Sequence, residues 1–435
     1  MKNKIFITLI ILISLVPTAL MPLSYGEGGA NEKAKLFPSL WENGKPNVSY
    51  LSQLSDWFDK NFGGRDEMIT LHNKAIATIF GESAEEKVIA GTDGWLFYNE
   101  TIDDYCGLNT MTRDEIMAVK KSLELAEEYL RSRGIDFVFT VAPNKNSVYS
   151  EKMPARYIKS QKMSNADSLG QALEESNVDY ANLFDPFRKE NRVLYRKTDS
   201  HWTYEGAGLA ADILLEHLNR EFVPIYGGET YTYLQTGDLF KMLYPAGEDK
   251  DPEIKYTQKP GFAYSKPIRS TEDNFIMTNK SDADGNLYMF RDSFGNTLYE
   301  YMAEHFANCT FSRAMPYDLT AVVKAEADCA VIEIVERNIP RLLTDPPIFP
   351  SPEREPKSAM TDITGHANIQ KESDSELSGY TKISVNDENA YDGLAPTYIE
   401  TGDKFYEATP CPGGFCAYIP TDPGNGEIKV FRIND

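Results

Sequence analysis

The sequence predicts an α/β protein: a three-layer domain on a mainly parallel sheet, followed by a small C-terminal all-β domain. Three observations carry this. From about residue 110 to 340, near-continuous apolar runs alternate with segments of helical period, as in a sheet covered on both faces. Residues 340 to 356 hold six prolines, a linker composition. Beyond them come only short strand-like runs separated by turn residues.

In chain order, residues 1–26 read as an export segment. Lys2 and Lys4 precede an apolar run from Ile5 to Val16 broken by Pro17, with small residues near Ser24 and Gly26. Cleavage as a signal peptide is the favoured reading. An uncleaved anchor is the alternative, because Ile5 to Ser24 is about 20 residues, enough to span a bilayer. Tyr50 to Phe62 and Arg65 to Phe80 show helical spacing. Val88-Ile89-Ala90 and Trp95 to Tyr98 flank Thr92-Asp93-Gly94 as a hairpin. Thr112 with Glu115 forms a capping box, and the helix it opens stops at Gly134. Ile135 to Ala142 is a strand, Ser164 to Ser176 a helix, Val178 to Leu183 a short strand and Thr203 to Arg220 a helix. Leu287 to Phe290 is a strand leading into a helix at Asn296 to His305, and Cys329 to Val335 is another buried strand. The linker covers 341–362. Residues 363–435 form the β domain, with strands at Gly379 to Val385, Thr397 to Thr401, Lys404 to Glu407, Phe415 to Ile419 and Glu427 to Ile433.

A net charge of −22 makes nucleic acid and anionic lipid poor partners, and 41% apolar content argues against wholesale disorder. Neutral glycans and small acyl donors remain compatible. Of five cysteines, Cys106 stands alone, and Cys309 and Cys329 lie in apolar segments as buried thiols. Cys411 and Cys416 flank a turn that can pair them in an exported protein, though the sequence does not fix that bond. A C-x₄-C pair without a second His or Cys pair falls short of a zinc pattern. No motif calls for a metal or a cofactor.

Chemistry concentrates in two segments: Asp199-Ser200-His201-Trp202 and Arg291-Asp292-Ser293-Phe294-Gly295. A serine hydroxyl needs a base to become a nucleophile, and the base needs a partner that fixes its tautomer. Asp199 lies two residues before His201, on the same side of an extended loop, so it can reach Nδ1. By the same argument Ser200 points away with no required role. Trp202 reads as a packing wall ahead of a reacting group, and stands with Phe294, Gly295 and Lys145 as a candidate substrate contact. Ser293 sits where a strand hands over to a helix, so the N–H groups of Ser293 and Phe294 can face a developing oxyanion. Gly295 would allow close backbone approach to a substrate. The plainer alternatives are a salt-linked loop and an ordinary helix cap.

These residues resemble a known family. Lys197-Thr198-Asp199-Ser200-His201-Trp202, Arg291-Asp292-Ser293-Phe294 and Gly91-Thr92-Asp93-Gly94-Trp95-Leu96-Phe97 are similar to the alginate O-acetyltransferase-like group, whose Gram-positive branch is the DHHW family. Phe62-x-x-Arg65-Asp66, Pro143-Asn144-Lys145 and Glu333-Ile334-Val335-Glu336-Arg337 extend the likeness over about residues 35–340. Ser200 departs from the second histidine that the name DHHW implies. The resemblance implies an SGNH-hydrolase-like domain over 35–340, with Ser293 as nucleophile, His201 as base and Asp199 as orienting carboxylate. It also implies an extracytoplasmic enzyme, secreted or anchored, that acetylates a polysaccharide with acetyl groups supplied by a membrane-bound O-acyltransferase. A polysaccharide acetyl esterase with the same triad is one alternative. A non-catalytic glycan-binding protein working through the aromatics of its β domain is the other. Lys145 is a candidate contact for an anionic acyl carrier or a surface cation. Glu336 and Arg337 are candidate ligand contacts, or more simply an ion pair.

Overall fold

In the computed structural model the described residues are 37–433 without 43, 224–229, 257–259, 356–359, 374, 387–394 and 422–426, together with 6–8, 11 and 15. The export-segment expectation therefore lies almost entirely outside them. Among the described residues no helix is long and apolar enough to cross a membrane.

Helices α1 (Tyr50–Asn61) and α2 (Arg65–Phe80) lead into a hairpin of β1 (Val88–Ala90) and β2 (Leu96–Tyr98). Asp93 and Gly94 turn the hairpin at φ 54° and 79°. Helix α3 (Arg113–Arg131) opens on the reciprocal Thr112–Glu115 capping box that the sequence spells out. It is followed by β3 (Asp136–Ala142), α4 (Asn165–Glu174) capped by Ser164, β4 (Tyr180–Ala181) and α5 (Tyr204–His217) capped by Thr203. An excursion then places α6 (Asp238–Leu243) between β5 (Thr230–Leu234) and β6 (Pro252–Tyr256). Strands β7 (Ala263–Tyr264), β8 (Phe275–Asn279) and β9 (Asn286–Phe290) precede α7 (Gly295–Ala303). The domain closes with β10 (Asn308–Ser312) and β11 (Cys329–Val335).

Seven strands form the central sheet in the order β4-β3-β11-β9-β10-β8-β7. The first five run parallel, and β8 and β7 add an antiparallel edge. Alternation along each central strand feeds two cores. Val138, Met289 and Val331 point to the face covered by α5 and α7, through residues such as Leu214 and Leu298. Phe139, Phe290 and Ile332 point to the face covered by α3 and α4, through Leu123 and Leu169. All seven β11 residues are buried, which is why that strand reads as an unbroken apolar run in which Glu333 is the exception.

The C-terminal region is antiparallel β, in sheets of five and four strands around Ile383, Ile399, Phe415 and Val430. Glu353–Arg354 and Met360–Asp362, within the proline-rich stretch and just after it, are strands of the five-stranded sheet. Arg354 pairs with both oxygens of Glu128 on α3 at 2.6 Å and with Glu407 at 2.7 Å, joining this region to the α/β domain. Of the aromatics considered for sugar stacking, Tyr398, Tyr406, Phe415 and Tyr418 are buried. Phe405 packs on Phe431, and Tyr380 lies against the small cluster holding Tyr418. None of the five cysteines is in a disulfide, and Cys411 and Cys416 lie diagonal to one another across a hairpin.

Candidate active site

The loop from Tyr195 to Trp202 closes on itself by a bridge between those two residues, with Thr203 N–H donating to Leu194 O at 2.8 Å. Within it Asp199 is fully occupied. One oxygen accepts the His201 ring Nδ1–H at 2.8 Å and the His201 backbone N–H at 3.0 Å. The other accepts from Arg196 and from the Asp238 backbone N–H, both at 3.1 Å. With Nδ1 protonated toward Asp199, the free lone pair of His201 is on Nε2, which lies 2.9 Å from Ser293 Oγ. The structure thus joins Asp199, His201 and Ser293, ninety-two positions apart at the last step, in one hydrogen-bonded relay.

Two contacts lock the halves together. Trp202, the expected packing wall, is buried, stands edge-on to Phe294 and donates its indole N–H to Phe294 O at 3.0 Å. Asp292 holds the other half. It accepts Phe294 N–H and Val335 N–H, each at 2.8 Å, while its own N–H donates to Glu333 at 3.0 Å. Burial, with the charge of Asp292 beside it, raises Glu333 far above the carboxylate range, so it sits there as a neutral acid. The turn between β9 and α7 is therefore pinned to the end of β11.

Three expectations change as a result. Phe294 N–H is spent on Asp292, so of the two anticipated oxyanion donors only Ser293 N–H has no acceptor among the described residues. Gly295 makes room for Arg291, not for substrate: a Cβ there would stand 2.5 Å from the Arg291 Cδ. That buried guanidinium donates to Thr271 O at 2.7 Å and to Asn296 Oδ1 at 2.5 Å. Gly295→Ala is expected to cost about 1–3 kcal/mol through overpacking, read as a lower urea midpoint at unchanged m. Ser200 is not idle either. Because the loop is folded back and not extended, its hydroxyl lies 3.2 Å from His201 Nδ1 and donates to Asp238.

Asp238 is the site residue that sequence reasoning missed. Its carboxylate accepts Ser200 N–H at 2.7 Å and lies 3.6 Å from His201 Nδ1. It gets there because α6 begins at Gly237, where any Cβ would meet Thr198 O at 2.2 Å. No motif marks it, since it comes from the excursion between α5 and β7. Arg196 was missed as well; besides Asp199 it pairs with Glu253 at 2.8 Å, and both residues are buried.

Lys145 does not face a cleft. It is buried, and its ammonium meets the carbonyls of Leu96, Arg196, Lys197 and Asp199 at 2.6 to 2.9 Å. Burial pulls its pKa down to about 7. Glu336 and Arg337 do not pair with each other. Glu336 accepts Asn144 N–H at 2.8 Å, with burial raising it to about 7. The Arg337 guanidinium stacks over Tyr98 at 5.4 Å and Phe294 at 5.9 Å.

Electrostatics follow the bonds. Burial disfavours charge on Asp199, but the His201 ring and Arg196 outweigh it and hold the carboxyl well below the usual carboxylate range. Burial likewise opposes charge on His201. The bond and charge of Asp199, helped by Asp238, prevail and raise its pKa above the ordinary value. Beside Ser293 opens a cleft of about 490 Å³, lined by Tyr204, Gln235, Thr271, Asn296 and Thr297 among others. Asp199, His201 and Asp238 lie close enough for a shared cation, yet His201 Nδ1 is already donated to Asp199 and Arg196 already supplies a positive charge there.

A mostly parallel sheet between two helical layers, with Ser293 leaving one strand end and His201 in a neighbouring loop, defines an SGNH hydrolase-like domain. Residues 88–247 match the ALGX family model, described as an SGNH hydrolase-like domain, acetyltransferase AlgX. The matched stretch holds Asp199 and His201 and ends before Ser293. The chain is 24% identical over 179 residues to the probable alginate O-acetylase AlgJ of Pseudomonas putida, covering 37% of this chain and 46% of that relative, under half its length. Among solved structures, a DHHW family protein from Eubacterium siraeum aligns with a TM-score of 0.45 at 14% identity, over 58% of this chain and 91% of that one. The O-acetyltransferase domain of Pseudomonas putida AlgJ aligns with a TM-score of 0.41 at 20% identity, over 58% and 92%.

Proposed function

We propose that the protein is an extracytoplasmic O-acetyltransferase acting on a cell-envelope or secreted polysaccharide. Ser293 Oγ attacks the carbonyl of an acetyl donor while His201 Nε2 takes its proton. The oxyanion gathers at Ser293 N–H, where α7 begins. Collapse releases the donor's leaving group, protonated by His201, and leaves acetyl-Ser293. A sugar hydroxyl then attacks, giving its proton to His201, and the serine is regenerated when the acetyl group departs on the sugar. Asp199 keeps Nδ1 protonated and stabilises the imidazolium. The donor on this reading is charged by a membrane-bound O-acyltransferase. The observation that carries the proposal is the pair of distances at His201, 2.8 Å to Asp199 and 2.9 Å to Ser293.

Purified protein incubated with an activated acetyl ester and a glycan tests it. Acetylated glycan with a transient acetyl-protein adduct in the intact mass is the expected result. Release of free acetate alone makes the protein an esterase, and the absence of any adduct or turnover refutes both enzymes. The acid limb of the rate profile is a separate check. His201 must be neutral to accept a proton, and its pKa is raised, so kcat/KM falls as pH drops through a value above about 6.5, the ordinary histidine value. Asp238→Asn removes one of the charges holding that pKa up, and the limb is expected to move to lower pH.

A further inference from the structure

The cleft beside Ser293 also bears on the acceptor. Its described lining carries the carboxylates of Asp199, Asp238, Glu253, Glu272 and Glu300 against two cations, Arg196 and Lys241. Neither cation is placed for a ligand. Arg196 is buried and committed to Asp199, Glu253 and Gln235 O. The Lys241 ammonium donates to Pro245 O at 2.9 Å. The other cations near the serine are committed as well and are not part of the lining: Arg313 pairs with Glu272, Arg291 is buried on Thr271 O and Asn296, and Arg337 lies flat on Tyr98 and Phe294. Hydroxyl and amide groups of Thr236, Thr271, Asn296 and Thr297 supply the hydrogen-bonding chemistry that suits sugar hydroxyls. The whole chain adds to this field with its net charge of −22.

We infer that this cleft takes an uncharged glycan as acceptor and rejects a polyuronate chain. A carboxylate on each sugar would enter a site of like sign with no uncommitted cation among the described residues to receive it, which opposes both approach and binding. The inference rests on the acetyltransfer reading above and adds the chemical class of the acceptor.

The test compares a chito-oligosaccharide with an oligouronate of equal length, each offered to the full chain with an activated acetyl ester. Binding of both to Ser293→Ala is measured by calorimetry. Transfer to the uncharged chain is expected with kcat/KM at least about tenfold higher. The gap narrows as salt is raised, because the discrimination is electrostatic. Glu272→Gln narrows it too. An oligouronate that accepts or binds as well as the uncharged chain overturns the inference, and so does failure of the uncharged chain to bind. Loss of the acetyl-protein adduct would instead count against the acetyltransfer reading, so the two failures are told apart.

Discussion

Replacement of Ser293 by alanine is expected to remove the acetyl-protein adduct and lower kcat/KM by at least about 10³-fold, the scale set by loss of one member of a relay that acts as a unit. The thermal midpoint should barely move, because among the described residues the side-chain hydroxyl bonds only His201 Nε2. His201→Ala should cost a similar factor, and the double variant little more than either single one. That non-additivity separates a relay from two independent binding contacts. A Ser293→Ala protein within about tenfold of the parent rate would place acyl transfer elsewhere.

The relay was legible because its logic lies in residue types and spacing. Asp-x-His within a loop and Ser at a strand-to-helix turn are local patterns, and the strands that bring them together are long and apolar enough to be recognised. The capping box at Thr112 and the buried run at Cys329–Val335 were readable for the same reason. Backbone partners were not. Whether Phe294 N–H is free depends on where the Asp292 carboxylate turns, although an aspartate two residues before that N–H is an Asx-turn signal that sequence reasoning can use. Ser200 was misjudged because the i, i+2 rule holds for extended chain, and the bridge between Tyr195 and Trp202 folds this loop back. Asp238 reaches His201 only through tertiary packing at Gly237, which no periodicity encodes.

Lys145→Met should produce the largest stability loss of any single substitution near the site. Its ammonium meets four carbonyl oxygens, three of them from the loop that carries Asp199 and His201 and the fourth from β2. Leu96 N–H in turn donates to Lys197 O at 2.8 Å, so hairpin and loop are stitched from both directions. Methionine fills the same space with no donor; Lys197 O keeps Leu96 N–H, but the carbonyls of Leu96, Arg196 and Asp199 lose the ammonium, and each carbonyl left buried without a partner costs about 1–3 kcal/mol. Even with partial relaxation the sum should reach about 3 kcal/mol or more, read as a large drop in the denaturant midpoint. The same loosening shifts the loop, and a displacement of His201 by an ångström is enough for about a 10²-fold loss in kcat. Lys145→Arg is not expected to rescue either effect, because a planar fork cannot serve carbonyls converging on one point. If Lys145 instead met an anionic substrate, the methionine variant would raise KM and leave the denaturant midpoint where it was. The burial of the ammonium beneath the loop predicts the reverse.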